Sequence, residues 1–450
     1  MKKFLIISIF SIVLVLGFVT RFYRLGNAPE GLYIDEAGQG YNAYSILETG
    51  KDEFGKPFPF VFRSFIDFKT PVYIYLIVPF ITIFDLTPFT VRFPSFLFSI
   101  LTFPVLFLLL VKISPKKIAV PIALLTTLLF AISPWHVVFS RTNFECNVAL
   151  FSFLAGVYFF YKSLERPIWL LPAVLFFAIA IPSYHSQRIV TPLMVLALFF
   201  RHRQKFILSK KRSLLIVSVM IGILILLPTL TVSLTPGFLA RASGLNIFSH
   251  SRQMPAGFLE NYDGIFEPII NGSWFLSTWE FASLYFSYFS PRNMFILGDS
   301  GLRDSYPEIA TFFIWQFPFY FYGLYLLVKN KGLKELRFFT LALLLIAPIP
   351  AALTRDPYST IRSLPLVVPQ IIIIGLGMLG IWQKLNFYKS FLLGKRINIL
   401  KATTVISLVI AVVYSVLKLY SSAIILNEYF RGFYWDYGWE EVVSTIKEKT

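Results

Sequence analysis

The chain is poor in three things. It carries one cysteine, Cys146, in 450 residues, which rules out an internal disulfide framework and a thiolate metal cluster. It has four histidines. Of these, His136, His202 and His250 stand at no metal-ligand spacing, and no HExxH pair occurs. Only 14% of its residues are charged, where a soluble domain carries about 25%. Repeats of 20–50 residues and low-complexity tracts are also missing. A disulfide scaffold, a zinc protein and an ordinary soluble globule are all excluded.

What is plentiful is apolar: 56% of the residues are hydrophobic, with 50 Phe and 23 Tyr. This is the composition of an all-α polytopic membrane protein. The net charge of +17 lies in short segments between apolar runs, so membrane topology accounts for it and no nucleic-acid partner is expected. The N-terminal "MKKFLIISIFSIVLVLGFVTRFYRL" lacks a small-x-small cleavage site before Arg21 and reads as an uncleaved first helix.

Apolar runs lie at about 4–20, 71–84, 93–112, 117–134, 146–162, 167–182, 188–200, 213–234, 306–328, 337–353, 362–382 and 401–421. Basic connectors, among them "KISPKK" (112–117), "RHRQKFILSKKR" (201–212) and "KNKGLKELR" (329–337), are expected on the cytoplasmic side. Parity satisfies them all only if 71–84 does not cross. That run has about 14 residues and contains Pro79, short of the roughly 20 a span needs. Eleven crossings remain, with the N-terminus cytoplasmic and the C-terminus extracytoplasmic. The first external loop then runs over 21–92 and carries a surface helix.

Four regions are expected: a membrane module over 1–234, an external substrate loop over 235–305, C-terminal crossings over 306–421, and an external tail over 422–450 that reads like the start of a further domain. This topology gathers the unusual polar residues on the outer side. They are Asp35 and Glu36; Asp67 and Lys69; Arg141, Asn143 and Glu145; Tyr184, His185 and Arg188; Asp299, Arg303 and Asp304; and Arg355, Asp356 and Arg362. Ionisable groups near membrane depth are costly and mark functional sites. Plainer readings stand beside that one. Arg188 and Arg362 at helix ends suit snorkelling, Asp67, Asp299 and Asp304 suit solvated loops or caps, and Arg141 with Glu145 suits an i,i+4 pair. For Asp35 and Glu36 the bland reading is helix N-terminal charge.

"YIDEAGQGYNAYSILETG", "DFKTPVYIYL", "FTVRFPSFLFSIL" and "SPWHVVFSRTNFECNVALFSFLAGVYFFY" follow in an order that resembles the GT-C glycosyltransferases. The likeness is to the glycosyltransferase family 39 group in particular, which includes the protein O-mannosyltransferases and is related to the lipid A aminoarabinose transferases. It covers about residues 1–200, and "FILGDSGLR" and "ALTRDPYSTIRSLP" look like later signatures.

The resemblance implies a GT-C fold in a multi-pass cell-membrane protein. It also implies inverting transfer of a sugar from a polyprenyl-phosphate donor to an acceptor hydroxyl of a protein, glycan or glycolipid. Asp35 matches the family's acidic motif and becomes the expected base, with Glu36 orienting base or acceptor. If both carboxylates share one cleft, repulsion and burial raise the pKa of one. Lys69, Arg141 and Arg362 are the expected phosphate-binding cations. Glu145, Tyr184, His185, Arg188 and Asp299 are expected at the substrate. Glu145 stands where the family often has Asp, and "KTP" replaces the commoner Lys-Pro-Pro. No metal site is assigned, although a divalent cation on Asp35 and Glu145 is compatible with the sequence. The alternative is a transporter or flippase of lipid-linked sugars, which would place its polar residues near the bilayer midplane in paired broken helices.

Overall fold

Apolar runs of this length in a bilayer have one stable option, the helix, because it satisfies its own backbone polar groups. The structure is a computed structural model that describes residues 3–64, 67–207, 212–233, 246–248, 273–354, 356–388, 394–436, 438 and 444–445. Much of the expected 235–305 loop and parts of the 422–450 tail therefore lie outside the described residues. A helix falls on each of the eleven runs expected to cross. By length and composition alone, five described helices suffice to span a membrane, or six if one bent pair counts as a span. The protein is a multi-pass membrane protein of largely helical fold.

The first helices run in order as α1 (Lys3–Phe22), α2 (Ile34–Thr49), α3 (Pro71–Phe84), α4 (Pro88–Ile113), α5 (Ala119–Ala131), α6 (Pro134–Ser140), α7 (Cys146–Ser163), α8 (Leu170–Ser183), α9 (Gln187–Ile207) and α10 (Arg212–Ser233). The 188–200 run, short as a sequence segment, sits in the 21-residue α9. The run expected from 306 behaves differently. Its chain stays irregular to Phe313, and the helix begins only at Phe317.

Helices α5 and α6 follow one another across a bend of 59°. Pro134, at the start of α6, cannot continue the hydrogen-bond ladder of α5. The break frees the carbonyls of Phe130 and Ala131, and buried Arg21 from α1 takes both, at 2.9 and 3.0 Å. The same guanidinium lies 2.9 Å from His136 Nδ1. Arg21, in the last turn of α1, therefore serves the exposed end of the broken helix.

Close helix packing is set by glycine elsewhere. A Cβ on Gly377 would lie 1.9 Å from the Phe319 carbonyl oxygen, and one on Gly323 would lie 1.8 Å from that of Ile373. The Phe317–Lys329 and Val367–Tyr388 helices thus approach backbone to backbone, as small residues permit in membranes.

The first loop has its own small core. Ala43, Ile46, Phe62, Tyr73, Ile74, Ile77, Ile81, Val91 and Val148 bury against one another, joining α2 and α3 to α4 and α7. At 14 residues with Pro79 inside, α3 is too short to span on its own. A feature the sequence did not announce precedes it: Phe62–Ser64 pairs antiparallel with Asp67–Lys69, Lys69 opposite Phe62. This hairpin delivers Lys69 to the site. Thr70 next to it donates to the Ser183 carbonyl at the end of α8, at 3.0 Å.

Candidate functional site

A single residue step, about 100° of helical rotation, separates the fates of Asp35 and Glu36. Successive residues on a helix point about 100° apart, while residues four apart share a face. Asp35 and Gln39 therefore look the same way, into a cavity of about 500 Å³, and Glu36 turns into the protein. Asp35 Oδ1 is 2.7 Å from Lys69 Nζ, and the Tyr33 hydroxyl donates to its other oxygen. Burial first, and then the neighbouring Asp35 charge, raise the Tyr33 pKa, so the phenol stays protonated and donates.

Glu36 receives Arg92 in a bidentate pair, Nε to Oε1 at 2.9 Å and Nη2 to Oε2 at 2.8 Å. It also accepts the backbone N–H of Asn143 at 2.9 Å. Arg92 further donates to the carbonyls of Pro29 and Gly31. The two carboxylates do not share one cleft. Asp35 is 30% exposed beside Lys69 at 11%, whereas Glu36 and Arg92 are sealed at 1% and 0%. The Glu36–Arg92 pair holds the chain before α2, α4 and the turn before α7 in register.

Four more walls complete the cavity. The turn before α7 supplies Asn143 and Glu145, and the turn after α8 supplies Tyr184 and His185, with Arg188 following in α9. The irregular segment before Phe313 supplies Arg303 and Asp304, and Thr354 and Arg362 close the far side. Asn246 joins through a bridge to Thr354. Of the expected site residues, Asp35, Lys69, Glu145, Tyr184, His185, Arg188 and Arg362 line one cavity.

Glu36, Arg141 and Asp299 do not line it. Arg141 is spent on backbone: it donates to the carbonyls of Thr20 and Arg21, both at 3.3 Å, and of Ala28 at 3.0 Å. Asp299 accepts from the N–H and hydroxyl of Thr360, both at 2.6 Å, and from the N–H of Gly301 at 2.8 Å. A buried carboxylate so engaged pins two loops together.

Tyr33, Gln39 and Asn246 were not singled out in the sequence, and Asn143, Arg303 and Asp304 were gathered on the outer side without a role; all six line the cavity. The i+4 relation of Gln39 to Asp35 was available as a signal. Asn143 is buried with both side-chain amide atoms unpartnered, on the cavity wall. Buried polar atoms in that state are ready for a ligand.

The electrostatics are mixed. Lys69, Arg188, Arg303 and Arg362 face Asp35, Glu145 and Asp304 around the same space. Arg303 stacks on the Tyr33 ring with its guanidinium carbon 4.1 Å from the ring centre. Arg362 donates to Thr354 at 2.9 Å and pairs with Asp356. Burial, followed by the charge of Asp299, pushes the Asp304 carboxyl up to about 7, against the opposing pull of Arg303 and Arg362. Burial also raises Glu145, although Lys69 and a hydrogen bond donated by the Gln39 amide at 2.9 Å oppose it.

Among the described residues no three His, Cys, Asp or Glu side chains converge as a metal site. Asp35 holds an ammonium and Glu145 an amide, and the proposed reaction uses no divalent ion.

Residues 68–231 match the family of dolichyl-phosphate-mannose-protein mannosyltransferases. No curated protein matches the chain. Among solved structures, the chain is similar to the archaeal oligosaccharyltransferase AglB from Archaeoglobus fulgidus, in complex with an inhibitory peptide and a dolichol-phosphate. That likeness has TM-score 0.56 and 15% identity, and covers 93% of this chain and 55% of the other. It is also similar to ArnT from Cupriavidus metallidurans bound to undecaprenyl phosphate, with TM-score 0.50 and 14% identity, covering 96% and 76%. The chain thus spans about half the length of the AglB chain it matches. At these identities the likeness is one of fold, and that fold is the GT-C arrangement of polytopic membrane glycosyltransferases.

Proposed function

We propose that the protein is a glycosyltransferase that moves a sugar from a polyprenyl-phosphate carrier to an acceptor hydroxyl in a single inverting displacement. The observation that carries this reading is the Asp35–Lys69 ion pair, set on the wall of a cavity that also gathers Arg188, Arg303 and Arg362. The match of residues 68–231 to a family named for a dolichyl-phosphate sugar donor supports the same chemistry.

In this reaction the acceptor oxygen attacks the anomeric carbon as Asp35 takes its proton. The bond from that carbon to the phosphate oxygen breaks, and its electron pair stays with the phosphate. The growing negative charge needs preorganised cations. Lys69 and Arg362 fill that role, with Arg188 and Arg303 on the same cavity. Lys69 has three donors and can hold Asp35 and a phosphate oxygen together. Attack opposite the leaving phosphate inverts the anomeric centre. Tyr184, His185, Asn143 and Glu145 supply hydrogen bonds to sugar hydroxyls. The acceptor is a protein, glycan or glycolipid, and the site faces the extracytoplasmic side, with the N-terminus in the cytoplasm and the C-terminus outside.

The test uses the full chain in liposomes supplied with the lipid extract of its own membrane. Transfer of sugar to acceptor is expected with the wild type and not with Asp35→Asn, while undecaprenyl phosphate binding survives in Asp35→Asn and weakens in Lys69→Ala. Movement of the intact lipid-linked sugar between leaflets without transfer would instead make the protein a transporter.

A further inference from the structure

The segment after the Gly394–Tyr420 helix does more than leave the membrane. Trp435 is buried and meets the Tyr33 ring edge-on, centroids 5.9 Å apart at 86°. Asp436 accepts the backbone N–H of Ile34 at 3.2 Å, at the very start of α2. Arg431 donates to the Leu302 carbonyl at 2.9 Å, to the Ser305 hydroxyl at 3.1 Å and to the Ser305 carbonyl. Lys418 pairs with Glu308 at 2.9 Å, and Glu428 with Arg24 at 3.5 Å. A stretch of six residues, 431–436, therefore grips two segments far apart in sequence. One carries Tyr33 and Asp35 and the other Arg303 and Asp304.

Tyr33 is where the two grips meet. Its hydroxyl holds Asp35, its face carries Arg303, and its edge rests on Trp435. Tyr33 precedes α2 and makes no side-chain cap, so its ring is held by these contacts and by Phe144 at 6.5 Å. The packing of an aromatic ring with Trp435 adds orientation beyond burial, and Arg431 fixes the height of the opposite segment.

We propose that Trp435 and Arg431 are positioning residues of the site, setting Asp35 through Tyr33 and Arg303 through the 302–305 segment. The proposal rests on the transferase reading for what the placement achieves, and on the geometry alone for the coupling.

The coupling is tested on the full chain in lipid nanodiscs by hydrogen exchange. Arg431→Ala and Trp435→Ala are expected to speed exchange in 31–36 and 299–306 by about fivefold to tenfold, the scale of one or two net hydrogen bonds. Exchange in α4 should stay unchanged, and Trp435→Phe should keep wild-type rates. Unchanged exchange in both segments overturns the proposal. So does an equal rise throughout α4, which would make the segment a general support.

A spectroscopic arm asks for communication with the cavity. With 5-fluorotryptophan incorporated, the Trp435 resonance is identified by its loss in Trp435→Phe. It should move on Asp35→Asn and on addition of undecaprenyl phosphate. A resonance indifferent to Asp35→Asn overturns the positioning role. A response to Asp35→Asn without one to undecaprenyl phosphate upholds the positioning role and counts against the polyprenyl-phosphate donor.

Discussion

Neutralising Glu36 and neutralising Asp35, one residue apart, should have opposite consequences. Glu36→Gln removes the only carboxylate that pairs with the sealed Arg92 guanidinium among the described residues, and weakens the acceptor of the Asn143 N–H. Breaking a buried pair by removing one partner costs about 3–5 kcal/mol, because an uncompensated charge stays behind. Gln retains one acceptor oxygen, so the lower end applies. At about 2 °C per kcal/mol for a large chain, the melting temperature should fall by about 6 °C. Asp35→Asn breaks a pair with one partner substantially exposed, and such pairs contribute about 0–1 kcal/mol. Asn also keeps an oxygen for Tyr33, so its melting temperature should stay within about 2 °C of wild type. The assay is thermal unfolding of the purified full chain in nanodiscs, followed by sugar transfer at a temperature where both variants are folded. Asp35→Asn should be stable and inactive, and Glu36→Gln unstable and partly active. A Glu36→Gln variant as stable as wild type yet inactive would refute the division, and would make Glu36 an acid of the site.

Three further outcomes follow from particular contacts. Asp304 is raised to about 7 from an ordinary 3.8, so the folded protein holds a proton that the unfolded chain has released between those values. Stability from this group is present below about pH 4 and is lost as pH rises through 7; Asp304→Asn should flatten that part of the stability–pH curve, and an unaltered curve would refute the burial argument. Gly377→Ala sets a methyl 1.9 Å from the Phe319 carbonyl oxygen, so the variant should lose most folded yield in a detergent-resistance assay, whereas Gly55→Ala, where nothing lies within 4 Å of the added Cβ, should cost only the strain of its φ of +83°. In a Cys146→Ser background, Leu86→Cys should react with an impermeant maleimide from outside the cell and Arg203→Cys only after permeabilisation; the reverse pattern would invert the topology.

Much of the scaffold was legible because burial in a bilayer leaves little choice. Each long apolar run had to be a helix, and the 71–84 run is the 14-residue α3. The basic connectors carried the expected orientation. The site was legible in part, since Asp35 and Lys69 were found by motif and meet at 2.7 Å. Glu36 shows where one-dimensional reasoning ends. Adjacency to Asp35 looked like partnership, yet its partner is Arg92, 56 positions away and reached by a helical rotation of about 100°.

Arg141 and Asp299 were misplaced for a related reason. Broken helices and irregular loops expose backbone carbonyls and N–H groups that must be satisfied inside the protein. A charged side chain serving them has the same residue type as one serving a ligand. Arg303 was grouped with the outer polar residues without a role, and Asp304 suited a solvated loop or cap. Hydropathy drew the adjacent span as starting at 306, but the chain stays irregular there to Phe313 and lines the cavity instead. The Phe62–Lys69 hairpin was hidden because three-residue strands leave almost no periodicity to read.

The most direct test of Asp35 as the base is mass spectrometry of surface glycans and glycoproteins from cells that differ only at this protein. Cells with the wild-type protein should show a sugar increment that is absent both from cells without the protein and from cells making Asp35→Asn at equal abundance. Restoration of that increment by Asp35→Asn would contradict the assignment of the base and the mechanism built on it.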